Sequence, residues 1–193
     1  MNRPGDLPDS SRGSRPTILS WVFASTWGWF LGFSLVIVLS IAWESVGGSA
    51  QFPIGVGMGA GVGLAQGAAM KRRLGRARPW AFATLAGTVL AFAGADLFAT
   101  IAVPYSLPVA VLIAGLLAGV FQARLLRREY DRVGSWIAAS VAAWGAPAGV
   151  IVLGDALEGA VGGVVVFVTM IFGGVLLGTI GGVSLVVMER SQT

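Results

Sequence analysis

The chain contains no cysteine and no histidine, and only 11% of its residues are charged. Without cysteine there are no disulfides and no thiolate chemistry, and the redox compartment cannot be read from cysteine usage. Without histidine there is no imidazole metal ligand, no His-ligated haem or chlorophyll, no Ser–His triad and no His general base. The scarcity of charge excludes a soluble globular domain, in which about a quarter of the residues are charged. What is abundant is apolar: 55% of the 193 residues are hydrophobic, 29 are glycine, and the mean hydropathy is +0.81.

Six windows of about 20 predominantly apolar residues, each enough to cross a bilayer, fall near 20–43, 53–70, 80–103, 107–126, 134–153 and 160–188. Residues 1–17, with Pro4, Pro8, Pro16 and three serines, are expected to form a disordered cytoplasmic tail. The first apolar run, Ile18 to Trp43, is longer than the roughly 7–15 residues of a signal-peptide core, so it is expected to be a retained helix. All 13 Lys and Arg lie in the tail, between windows two and three, from the end of window four to window five, or after window six. The other three connections carry none. Basic loops stay on the cytoplasmic side, which predicts six spans with both termini inside. The net charge of +4 then anchors loops to anionic headgroups and gives no reason to expect nucleic acid as a partner.

Recurrent spacings divide the apolar region, 18–193, into three units. Trp21, Trp80 and Trp136 each open an odd-numbered helix with Trp-x-x-Ala-(Ser/Thr). The even helices end on a second pattern: Gly59-x3-Gly63-x2-Gln66-x4-Lys71 and Gly115-x3-Gly119-x2-Gln122-x4-Arg127. Gly178-x3-Gly182-x2-Leu185-x4-Arg190 continues it with Leu for Gln. These spacings predict an all-α membrane domain of three tandem helical hairpins, 20–73, 80–128 and 134–190, parallel because each begins and ends inside. Secondary transporters more often bind between inverted repeats or between two large parallel halves. The two motifs together resemble those of a broad group of small bacterial multi-pass membrane proteins, with Gly67 and Ala123 standing where that group usually has Trp. The resemblance implies architecture and repeat number, and a place in a bacterial cytoplasmic membrane; it carries no activity.

The glycine and glutamine positions share one helical stripe, since small residues let membrane helices approach closely. Gly59, Gly63, Gly115, Gly119, Gly178 and Gly182 are therefore expected to pack helices. Gln66 and Gln122, about 7 Å inside the basic boundary at 1.5 Å per residue, are expected to clamp neighbouring helices by hydrogen bonds. Trp21, Trp80 and Trp136 fit an interfacial aromatic belt that fixes the depth of each hairpin. Asp96 is the candidate functional acid, because a carboxylate inside a span is costly and no Lys or Arg lies on its side. Its expected partners are Thr100, Tyr105, solvent or another subunit. Pro147 is expected to shape the fifth helix by freeing the carbonyl of Ala143.

No window pairs a nucleophile with a base, and Gly55-Val56-Gly57-Met58-Gly59 lacks the strand that a phosphate-binding glycine loop requires. An enzyme is not expected. The preferred expectation is a non-catalytic accessory, scaffold or assembly subunit that contacts the lipid bilayer and other membrane-protein subunits. The alternative is a small transport or substrate-binding component for a solute or ion, with Asp96 as its polar site. No cofactor or metal is expected, although Trp-, Phe- and Gly-lined grooves leave open contact with lipid, a quinone or a pigment.

Overall fold

A computed structural model of the chain describes residues 18–48, 50–75, 77–98, 106–131, 133–157 and 159–191, with side chains at all of these except 72–74, 160, 166, 169 and 170. The tail at 1–17 lies outside the described residues, as do Arg76, Thr100, Tyr105, Arg132 and Glu158. The described residues form six helices: α1 (Ile18–Ser45), α2 (Phe52–Leu74), α3 (Ala77–Phe98), α4 (Ser106–Leu126), α5 (Gly134–Leu157) and α6 (Gly159–Arg190). No strand occurs among them.

By length and composition α1, α3, α4, α5 and the Ile171–Arg190 part of α6 can each cross a membrane. α2 is the less apolar helix because it runs into Lys71, Arg72 and Arg73 and because glycine recurs along it. It starts with proline in its first turn, where a missing N–H costs nothing. It stops at Gly75, whose φ of 63° lets its N–H reach the Lys71 carbonyl at 3.0 Å. Pro147 lies inside α5, as expected, and is buried.

Each helix packs chiefly on its two neighbours in sequence, and α6 packs back on α1, closing a six-membered ring. Contacts run in opposite directions along each joint. On α1 and α2, Gly28 meets Val62 and Gly32 meets Met58; on α2 and α3, Gly55 meets Phe92 and Gly67 meets Ala77. Neighbours are thus antiparallel, so the beginnings of α1, α3 and α5 share one end of the ring with the ends of α2, α4 and α6. Every basic side chain described, including Lys71, Arg78, Arg124, Arg127 and Arg190, belongs to that end.

Unlike a soluble domain, the ring has an apolar outer surface. Phe23, Trp27, Phe82 and Phe167 are more than half exposed, whereas Ser25, Gln66, Thr84, Thr88, Gln122 and Ser140 are buried. An apolar rim around hydrogen-bonded polar groups is what hydrocarbon surroundings require, since an unpaired polar group there costs several kcal/mol (about 2–7). Apolar helices with this outer surface suggest contact with a lipid bilayer.

Glycines set how closely the helices meet. A Cβ at Gly61 would strike the backbone of Gly32, and one at Gly87 the backbone of Ala118. The expected stripes of α2 and α4 lie against odd helices. Gly59 and Gly63 receive α3 at Leu85 and Ala81, and Gly115 and Gly119 receive α5 at Trp144 and Ser140.

The third stripe requires a correction of register. Gly178 meets Val22 and Ser25, as Gly63 meets Ala81 and Thr84. Gly174 meets Trp29, as Gly115 meets Trp144. Gly182, expected to match Gly63 and Gly119, instead lies against Ile18, as Gly67 lies against Ala77. The matching pattern in α6 is Gly174-x3-Gly178-x2-Gly181, one turn earlier than the motif spacing from Arg190 implies. Glycine, not Leu185, stands in the glutamine place. The two registers compete because α6 offers several glycine pairs at the same spacing, and the position of Arg190 favours the later one.

Candidate functional site

At the basic end, the first turns of α1, α3 and α5 each bring a tryptophan to the ring axis. Trp21, Trp80 and Trp136 are 1%, 0% and 4% exposed. Their ring centroids are 5.7, 5.4 and 6.0 Å apart, all in edge-to-face arrangements. The expectation of an interfacial belt is therefore corrected: these three indoles face one another across the axis. The physical reason is the small residues around them, which let the helices close until only flat rings fit between. Met70, Leu126, Leu185 and Met188 complete this buried layer.

Two of the indoles are held by the glutamines. Gln66 donates to Ser25 Oγ at 3.1 Å and accepts from Trp80 Nε1 at 3.3 Å. Gln122 donates to Thr84 Oγ1 at 2.8 Å and accepts from Trp136 Nε1 at 3.0 Å. Each amide thus ties an even helix to both of its odd neighbours. The shared Gln-to-Trp spacing in sequence is this hydrogen bond, fourteen residues apart in both cases. Serine and threonine complete the pattern, and they are the closing residues of the Trp-x-x-Ala-(Ser/Thr) motif. That motif held the signal for the glutamines' second partners.

The third joint, α6 with α1, lacks its amide. Trp21 Nε1 is buried without a partner and lies 2.7 Å from where a Cβ on Gly181 would be. The indole occupies the space a side chain at Gly181 would take. Ser140, counterpart of Ser25 and Thr84, donates instead to the Gly115 carbonyl at 2.8 Å. Beside these groups, between Gln66, Gln122 and Ser140, is a space of about 20 Å³, room for a single water.

Asp96 lies at the opposite end, near the last turn of α3. Its Oδ1 accepts from the Gln51 N–H at 2.7 Å and its Oδ2 from the Phe52 N–H at 2.8 Å. The carboxylate therefore caps the start of α2, where unsatisfied N–H groups and the helix dipole favour negative charge. This answers why no Lys or Arg is needed nearby. Its partners are backbone groups of another helix, and the expected pairing with Thr100 or Tyr105 lies outside the described residues. Gln51 extends the contact by donating to Ser106 Oγ at 3.2 Å, joining the starts of α2 and α4.

Between the tryptophan layer and the Asp96 end, the ring surrounds a partly open cavity of about 210 Å³. Trp29, Phe33, Met58, Phe92, Val111 and Trp144 are among its walls, drawn from α1 to α5. Its surface is almost wholly apolar. No motif marks its wall, because each wall residue is an ordinary core residue in its own helix.

Among the described residues no group of three or more Asp, Glu, His or Cys side chains could hold a metal ion. No family model matches the chain, and no curated protein or solved structure is significantly similar to it.

Proposed function

We propose that the chain is a six-span protein of the bacterial cytoplasmic membrane, made of three tandem hairpins with both termini inside. We further propose that it acts as a non-catalytic accessory, scaffold or assembly subunit of a membrane complex. The observation that carries this reading is that most buried polar side chains within the ring, Trp21 Nε1 and Ser184 Oγ excepted, are used on one another or on the backbone. Gln66 and Gln122 are engaged at both ends of their amides, and three packed indoles fill the axis. Such a ring is a rigid unit with no polar route along its centre among the described residues. α2 belongs to the same ring as the five apolar helices, which supports counting it as the sixth span. The gathering of basic side chains at one end supports the orientation. The transport alternative has less support, because both oxygens of Asp96 are taken by backbone N–H groups.

Two measurements test the proposal. A reporter fused after Arg78 should report cytoplasmic and one at Gly47 external; the reverse result would overturn the topology. Purified under mild conditions, the chain should migrate with a second membrane polypeptide in fixed stoichiometry. A bound polar solute with no protein companion would reject the subunit reading in favour of transport.

A further inference from the structure

We propose that the cavity of about 210 Å³ is a binding site for a single hydrocarbon chain. The site goes beyond the subunit reading and stands whether or not that reading holds.

The cavity exceeds the roughly 150 Å³ apolar cavity that remains dry yet binds benzene. Water entering this one would find almost no polar surface to bond, and a water needs two to four polar partners to stay. A quinone's carbonyls would also meet no polar surface in the wall. A hydrocarbon asks for none. It would contact aromatic faces from Trp29, Phe92 and Trp144 and the adaptable thioether of Met58. Nor can the ring readily shrink to remove the space, because its joints are already at backbone contact, as at Gly61 with Gly32 and Gly87 with Ala118. The occupant's chemistry is shared by a bilayer acyl chain and a free single-chain amphiphile, and the surrounding bilayer supplies either.

The test uses the full chain in phosphatidylcholine vesicles with two photoreactive probes. One is hexadecanol carrying a diazirine in its chain; the other is phosphatidylcholine carrying the same diazirine in one acyl chain. Labelled residues are mapped by peptide mass spectrometry. The proposal expects saturable labelling of the cavity wall at Val36, Ile54, Met58 or Val111. Non-saturable labelling is expected at outward-facing Leu31, Ile37 and Leu112, which are exposed. Wall labelling by the alcohol alone identifies a free amphiphile, and wall labelling by the phospholipid identifies a bilayer chain. In Val111→Phe, which fills the space from α4, wall labelling should be lost while outer labelling persists. Val36→Phe fills it from α1 and serves if the first variant does not assemble. Labelling confined to outer positions with both probes, or wall labelling unchanged in a folded filled variant, overturns the proposal.

Discussion

Replacing Gln122 with leucine removes the clamp between α4, α3 and α5 while nearly preserving side-chain volume. Two hydrogen bonds are lost, at 2.8 Å to Thr84 and 3.0 Å from Trp136. Interhelical bonds of this kind average about 0.6 kcal/mol each in membrane proteins, so their direct loss is about 1 kcal/mol. Leaving the indole N–H of Trp136 buried with no acceptor costs more, about 1–3 kcal/mol. The total destabilisation is therefore about 2–4 kcal/mol. A cycle with Trp136→Phe separates the bond from the packing, because phenylalanine removes the donor. The expected coupling is about 0.6–3 kcal/mol, because phenylalanine also relieves the stranded N–H. Reversible unfolding in mixed micelles, followed by helical circular dichroism rather than tryptophan emission, gives the four stabilities. Trp21→Phe paired with Gln122→Leu is the control, because Trp21 Nε1 has no hydrogen-bond partner. Coupling indistinguishable from zero for Trp136, or equal coupling for Trp21, would refute the clamp.

Three further outcomes follow from the packing. Asp96→Ala should destabilise the fold by about 1 kcal/mol through loss of the α2 cap, while Asp96→Asn retains an acceptor and much of that stability; equal losses in thermal melts would refute capping. Gly61→Val should disrupt α1–α2 packing and lower the melting temperature, whereas Gly94→Ala, with open space around its Cβ, should leave it unchanged. Gly181→Ala should displace the Trp21 indole at about 1–3 kcal/mol for overpacking, read as a changed near-ultraviolet dichroism from the three coupled indoles.

The helices and their ends are legible in the sequence because lipid and positive charge impose strong local rules. Arg and Lys mark one end of the ring, and the apolar windows fall close to the observed helices. The glutamine clamps are legible too, since Gln66 to Trp80 and Gln122 to Trp136 are near in sequence and equal in spacing. Three features are hidden for different reasons. An indole suits both a headgroup belt and a tight core, so only packing decides where Trp21, Trp80 and Trp136 belong. The role of Asp96 depends on N–H groups more than forty residues away, which no local pattern records. The cavity is space left over from five helices, so no single stretch of chain contains it.

Closure of α6 onto α1 has a consequence for chain order. The contacts from Gly174 and Gly178 to Trp29, Val22 and Ser25 make the first and last helices neighbours, with both of their termini at the basic end. A chain cut in the connection between α4 and α5, and joined from Ser191 to Ile18 by a short polar linker, would keep every helix direction. It would also keep both glutamine clamps, whose partners lie on helices the ring already holds side by side. Circular permutation at that point should therefore be tolerated, because the ring has a topology but no obligatory beginning.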